Sequence, residues 1–426
     1  MNVRFYNANI CTMENGPAVM QGELWTLGNR VYYAGSASGA PPALLFDKQI
    51  DLGGNLILPG FKNAHTHSAM TFLRSYADDF PLLEWLDKQV FPMEAKLTGE
   101  DVYWLSKLAI LEYLSSGITA NFDMYMFLEE NAQASIDTGF RTVLCGALSN
   151  FTGSLQTLEN DFLHFNALHE RISYQLSFHA EYTCSRQLLE GVADLADRYQ
   201  SPVYTHNSET LPEVQQCIAR NGTTPTAYLN QLGIFNYGGG GFHCVHMSDE
   251  DLKITKDRGL YVVSNPGSNS KLASGIAPVQ KMLNMGIPVA LGTDGPASNN
   301  ALDMFREMYL ATVLQKLSLQ DAAALNADTV LEMACCTGAR AMGLPNCDNL
   351  AVGKLADLIV IDLQQPNMQP LNNLTRNLVY SGSKQNVKLT MVNGQILYQN
   401  GEYFVGTNPA EIYAKANEII RRMQQQ

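Results

Sequence analysis

The feature that most constrains this chain is an alternation repeated eight times: a short apolar or β-branched run, then a longer segment with apolar residues at three- and four-residue spacing. Such alternation is the sequence sign of βα units around a parallel sheet. The runs predict strands at Leu56–His67, Ile118–Tyr125, Thr142–Ser149, Tyr174–Tyr182, Pro202–Glu209, Gly241–His246, Tyr261–Asn265 and Pro288–Asp294. Helices are predicted between them, among others at Glu100–Ser115 behind Thr98, Arg186–Tyr199, Asp249–Arg258 and Ala301–Gln315. Eight strands with helical connections close into an α/β fold, a TIM-type (β/α)8 barrel, which takes roughly 250 residues. The 426 residues leave material for a second, smaller unit. No repeat of fixed period is present, which disfavours a solenoid.

The extra material lies at both ends. Residues 1–53 break into short β-like pieces, Val3–Cys11, Gly22–Leu27 and Arg30–Ala34, punctuated by Gly and Asn. The same texture returns in Asp357–Asp362 and Val387–Tyr398, with Asn393-Gly394 and Asn400-Gly401 as turn signals. Residues 1–53 and 351–406 are therefore expected to form one small composite β-sandwich domain beside a catalytic barrel at 54–350. Asn408, Pro409 and Glu411 read as the N-cap, first position and N3 acid of a C-terminal helix within 407–426.

Composition narrows the partners. Hydrophobic residues at 46% supply a large core, and a net charge of -13 repels phosphate backbones, so nucleic acid is not expected as a partner. With no apolar run approaching 18 residues and no signal-peptide layout in Met1–Tyr6, no membrane partner is expected and the cytoplasm is the expected compartment. Eight scattered cysteines without a C-x-x-C pair read as reduced core residues.

Barrel enzymes carry their working groups at the C-terminal ends of the strands. Six of the eight histidines, His65, His67, His179, His206, His243 and His246, fall at or near the predicted ends of the first, fourth, fifth and sixth strands. His65 and His67 are two apart, so on a strand both imidazoles face the barrel mouth. The fifth strand ends in His206 and the eighth in Asp294, within Leu291-Gly292-Thr293-Asp294-Gly295. Three imidazoles and a carboxylate are a good ligand set for zinc or ferrous iron. His243 and His246, three apart, should face opposite sides of the sixth strand, so one of them serves the site. Glu209 lies three past His206 and shares the mouth only if the strand has already ended.

Several motifs carry a family resemblance: Pro59-Gly60-Phe61-Lys62-Asn63-Ala64-His65-Thr66-His67, Thr205-His206-Asn207-Ser208-Glu209-Thr210, His243-Cys244-Val245-His246, Asn265-Pro266-Gly267-Ser268-Asn269-Ser270-Lys271-Leu272, and Gly292-Thr293-Asp294-Gly295-Pro296-Ala297-Ser298-Asn299-Asn300. Together they resemble the amidohydrolase superfamily over nearly the whole chain. They are similar in particular to its branch of S-adenosylhomocysteine and 5'-methylthioadenosine deaminases, which is related to chlorotriazine hydrolases. The resemblance implies that His65, His67, His206 and Asp294 hold one divalent metal ion, with Glu209, His243 and Asp294 as the catalytic groups. Residue chemistry agrees. A bound divalent ion lowers the pKa of its water to about 7. Asp294 can accept the water's proton, Glu209 can protonate the ring nitrogen beside the attacked carbon, and His243 can stabilise the developing charge. His246 is left a structural role. Binuclear members carry a lysine at the end of strand four; Gln175-Leu176-Ser177-Phe178-His179-Ala180-Glu181 has none, so a single ion is expected, zinc first and ferrous iron second. His179-Ala180-Glu181 also matches the H-x-E of base-flipping deaminases, but no P-C-x-x-C follows.

The same resemblance places three more residues against the substrate: Trp85 packing on it, Glu94 binding a ribose diol, and His179 touching it. One feature departs from the pattern. S-adenosylhomocysteine deaminases grip the amino-acid carboxylate with an arginine near the end of strand three, and Thr142-Val143-Leu144-Cys145-Gly146-Ala147-Leu148 has none. Arg141 is at the wrong end, which leaves Arg74 or Arg186 as substitutes. The expected activity is hydrolytic deamination of an adenine-type nucleoside (5'-methylthioadenosine, S-adenosylhomocysteine or adenosine) to the inosine-type product and ammonia, by a homo-oligomer. The alternative is a hydrolase of another amino- or chloro-substituted N-heterocycle or cyclic amide, of guanine or triazine type. Trp85 and Glu94 argue against it, because such substrates carry no ribose.

Overall fold

Gly60 divides what the sequence presents as one strand. In the computed structural model, which describes residues 1–42, 44–80 and 82–425, Leu56–Pro59 and Phe61–Thr66 are separate strands in different sheets. A Cβ at position 60 would lie 2.1 Å from Thr119 Cγ2, so only glycine lets the chain pass here. Leu56–Pro59 pairs with the N-terminal strand Val3–Met13 and with Leu358–Ile361. Phe61–Thr66 pairs with Ile118–Tyr125 and opens the barrel.

The other barrel strands follow in parallel order: Arg141–Gly146, Ile172–Tyr174 continued by Leu176–Ala180, Val203–Asn207, Gly239–His243, Tyr261–Ser264 and Val289–Leu291. The fourth is interrupted at Gln175, where pairing passes from a four-stranded to a five-stranded sheet. Backbone bonds span that seam, from Gln175 N to Leu144 O at 3.0 Å and from His179 N to Leu148 O at 2.9 Å. Asp294 N donates to His65 O at 3.0 Å, joining the eighth strand's extension to the first. Several strands stop before their predicted ends because the backbone turns left-handed, with φ +52° at Ser208, +70° at His243 and +57° at Asp294. Phe122, Met124, Tyr204, Phe242, Val263 and Ala290 belong to one buried cluster that fills the interior below the mouth.

Helices Gly99–Ser115, Arg186–Tyr199 and Asp249–Asp257 match the expected periodicity, the first capped by Thr98 and Asp101. The helix expected at Ala301–Gln315 runs instead from Met304 to Leu319, because Asp303 caps it through Phe305 N. None of the helices among the described residues is long and apolar enough to cross a membrane. All eight cysteines are buried and unpaired.

Strands of both chain ends, together with Leu56–Pro59 from the segment expected in the barrel, form a single nine-stranded hydrogen-bonded sheet. Its period-two alternation explains how it packs. Ile57, Leu358 and Val360 face its own core with Val3, Phe5 and Leu24, while Leu56, Leu58, Ile359 and Ile361 face the barrel helices with Ile110 and Leu114. The C-terminal helix Pro409–Gln425 starts where expected, with Asn408 Oδ1 accepting from Ala410 N at 3.0 Å. Gln426, the last residue of the expected segment, lies outside the described residues. The helix buries Ala416, Ile419 and Met423 against a cluster containing Trp85, Val90 and Met93.

Arg141 and Asp357 fasten the barrel floor to the outer sheet. Arg141 Nε donates to Asp357 Oδ2 at 2.9 Å, with the two side chains 4% and 0% exposed. Removing one partner strands a buried charge, so Arg141→Ala is expected to destabilise the protein by about 3–5 kcal/mol. A thermal melt checks this; a variant that melts like the parent would refute it.

Candidate active site

His65 and His67 leave the first strand on the same side, as their spacing predicts. The His65 ring stacks on Phe242 with centroids 3.8 Å apart, and both of its nitrogens are buried without any hydrogen-bond partner. Such orphaned polar atoms are costly unless something else engages them. Backbone carbonyls orient the neighbouring rings. His67 Nδ1 donates to Met124 O at 2.5 Å and His206 Nδ1 to His179 O at 2.7 Å, which turns each Nε2 into the site. Asp294 Oδ2 accepts from the hydroxyls of Ser268 and Ser298, each at 2.6 Å. Its Oδ1 is thereby turned toward His65 Nε2 at 3.4 Å and His67 Nε2 at 3.2 Å. Ligand atoms of His65, His67 and Asp294 lie within 4.8 Å of one another, as do those of His65, His206 and His243. Two donor triads share His65, and neutral imidazoles with one carboxylate suit a divalent ion.

The electrostatics favour a cation there. Burial drives the His65 pKa down to about 3 and His206 well below the usual range, so both rings offer lone pairs at neutral pH. Burial also opposes charge on His67, but hydrogen bonding and attraction to Asp294 outweigh it and raise the ring to about 9. Asp294 shows the reciprocal effect: burial works against its charge, and the close approach of the His65 and His67 rings holds the carboxyl well below its ordinary value. The carboxylate thus calls for one positive charge beside it.

Glu209 reaches this centre because the fifth strand ends at Asn207 and Ser208 turns left-handed. The Glu213 carboxylate clamps the turn, accepting from Ser208 N at 3.0 Å, Glu209 N at 2.9 Å and Thr210 N at 3.3 Å. Glu209 Oε2 stands 3.9 Å from His243 Nε2, and Oε1 accepts from Ser274 Oγ at 3.4 Å. Burial raises the Glu209 pKa, which suits a proton donor. His243 Nδ1 donates to Asn269 Oδ1 at 2.8 Å, leaving its Nε2 toward the site. His246 turns away, bonding Ser274 O at 2.7 Å.

The remaining expected residues lie farther out. His179 has its ring centroid 5.0 Å from that of His206 and is kept neutral by burial, with a pKa of about 4. Glu94 Oε1 accepts from Tyr125 OH at 2.8 Å, and the Tyr125 ring lies 6.5 Å from the His67 ring. Trp85 is buried in the apolar cluster that also contains Tyr125 and Ala297, away from the histidines themselves. Neither arginine substitute is free: Arg74 pairs with Glu112 at 2.5 Å and Arg186 with Glu190 at 2.7 Å. Sequence reasoning missed Tyr125, Ser268, Asn269, Ser298 and Glu213. Only Glu213 had a local signal, as the acid of the capping box Thr210-Leu211-Pro212-Glu213.

A barrel with this donor set at its C-terminal mouth defines the class of barrel enzymes built around a metal-binding centre. More particularly, the chain belongs to the amidohydrolase family, whose pattern matches residues 56–397, and it is a hydrolase. It is 40% identical over 410 residues to the 5-methylthioadenosine/S-adenosylhomocysteine deaminase of Caldanaerobacter subterraneus subsp. tengcongensis, covering 94% of each chain. The protein of that name from Moorella thermoacetica is 41% identical over 416 residues, covering 96% of each. An adenosine deaminase from Xanthomonas campestris, solved with bound zinc, is similar with a TM-score of 0.95 and 30% identity, covering 100% of this chain and 99% of that one.

Proposed function

We propose that the protein hydrolyses a C–N bond by deaminating an adenine-type nucleoside to the inosine-type product and ammonia. In this reading His65, His67, His206 and Asp294 hold one divalent ion, zinc in preference to ferrous iron. The observation that carries it is the buried, unpartnered His65 ring, whose Nε2 converges with His67 Nε2 on Asp294 Oδ1. The zinc named for the Xanthomonas structure and the names of the relatives support it.

A divalent ion bound there contributes Lewis acidity, which makes water acidic enough to attack at neutral pH. The chain's own groups do the rest. Asp294, with Oδ2 fixed by two serines, offers Oδ1 to the departing proton. Glu209, its pKa raised by burial, gives its proton to the ring nitrogen beside the attacked carbon; Asp294 passes the water's proton to the amine, which leaves as ammonia, and the remaining proton of the attacking oxygen returns to Glu209. His243, held by Asn269, presents Nε2 to the attacking oxygen as a hydrogen-bond partner and stabilises the charge developing there. Trp85 and His179 pack on the substrate, and Glu94, one oxygen occupied by Tyr125, has the other for a ribose diol.

The third strand and its extension, residues 142–148, hold no arginine to grip a carboxylate-bearing 5' substituent, and Arg74 and Arg186 are paired with Glu112 and Glu190. Zinc-loaded protein is therefore expected to release ammonia from 5'-methylthioadenosine and adenosine faster than from S-adenosylhomocysteine, and not from guanine or a chlorotriazine. Loaded protein that releases ammonia from none of the nucleosides would overturn the reading.

A further inference from the structure

The short helix Pro266–Lys271 carries two side chains that hold the site from behind. Ser268 Oγ donates to Asp294 Oδ2, and Asn269 Oδ1 accepts from His243 Nδ1. Six residues of helix cannot fix themselves, and the element leans on Glu307, a fully buried carboxylate of helix Met304–Leu319. Glu307 Oε2 accepts from Gly267 N at 2.8 Å, beside Ser268. Its other oxygen, Oε1, accepts from Asn299 Nδ2 at 2.7 Å. Asn299 Nδ2 also donates to Thr293 O at 2.7 Å, one residue before Asp294, while Ser298 gives Asp294 Oδ2 its second bond. One side chain therefore ties together both segments that grip the same carboxylate oxygen. The approach is close enough that a Cβ at position 267 would stand 2.4 Å from Glu307 Oε1 and 2.8 Å from Asn299 Oδ1. Only glycine admits it.

We infer that Glu307 is a positioning residue, which locks the 266–271 helix against the 293–299 turn so that Ser268 and Ser298 hold Asp294 Oδ2 and leave Oδ1 turned into the site. The inference rests on the proposed role of Asp294. Loss of a metal ligand's direct hydrogen-bond partners typically changes metal affinity or activity by about 10–100-fold, and Glu307 acts through the two such partners here, Ser268 and Ser298.

Glu307→Gln tests it, since the amide keeps the volume but offers one acceptor where two N–H donors converge. The variant is expected to melt as a folded protein, to bind zinc about tenfold more weakly in competition with a chromogenic chelator, and to lose kcat about tenfold or more with KM within about twofold. In a double-mutant cycle with Ser268→Ala, Glu307→Gln should add little to the zinc-affinity loss, because both act through Asp294. A lower melting temperature with parental zinc affinity and kcat would make Glu307 merely structural and overturn the inference. If Glu307→Gln fails to fold, Glu307→Asp keeps both acceptors on a shorter reach; unchanged zinc affinity there overturns the inference equally. The chelator competition needs no substrate, so protein inactive on every nucleoside would defeat the proposed reaction while the zinc measurements still decide the role of Glu307.

Discussion

Asp294→Asn is expected to leave a folded protein that loses most of its zinc on dialysis and turns over about 10²–10⁴-fold more slowly. The amide is nearly isosteric, and the serine hydroxyls facing Oδ2 can rotate to meet an N–H₂ group, so the backbone turn at φ +57° should persist. What disappears is charge. Asp294 is the carboxylate of the triad it forms with His65 and His67, and its field outweighs the burial of His67 and lifts that ring to about 9. Without it the centre presents neutral or poorly charged groups, and a dication loses the partner that offsets its desolvation. The proton acceptor of the proposed reaction is removed in the same stroke. Metal analysis and single-substrate kinetics read the two losses separately. Stoichiometric zinc with undiminished kcat would take Asp294 out of both roles.

The parts of this site visible in the sequence are those set by strand periodicity. His65 and His67 could be paired because side chains two apart share a face, and the structure brings both toward Asp294. His243 and His246 do point to different partners, but parity is not the reason: the strand ends at His243, and left-handed His243 and Cys244 turn the chain between them. Where the strands end, parity fails. Glu209 enters through a left-handed Ser208 and a clamp by Glu213, neither of which belongs to an alternating pattern. Ser268, Asn269 and Ser298 sit in motifs whose residues are evident but whose direction is not, because Ser268 and Asn269 find partners 26 positions away on other segments and Ser298 bonds back within its own loop.

The fold shows the same division. Burial on both faces made the barrel strands legible as continuous apolar runs. The break at Gly60 was invisible because Leu56–Pro59 and Phe61–Thr66 are both buried throughout, and the crowding by Thr119 that requires a glycine there comes from a later strand. Pairing of Arg141 with Asp357 spans 216 positions, and no local rule could supply it.

Glu209→Gln separates chemistry from metal binding. Glu209 lies outside both donor triads, and its contacts are a 3.9 Å approach to His243 and a hydroxyl from Ser274. The amide retains the volume and can still accept from Ser274, while Glu213 continues to hold the turn through three backbone N–H groups. The variant should therefore keep its zinc and its KM. It cannot carry a proton to the substrate's ring nitrogen, and kcat is expected to fall about 10²–10⁴-fold. Burial raises the wild-type carboxyl, so its protonated fraction near neutrality exceeds that of an exposed glutamate and declines as pH rises through the folded-state pKa. The alkaline limb of the wild-type kcat profile should follow that decline, and the residual activity of Glu209→Gln should lack it. Loss of zinc in the variant would make Glu209 a ligand. Retained zinc with unchanged turnover would mean that another group delivers the proton.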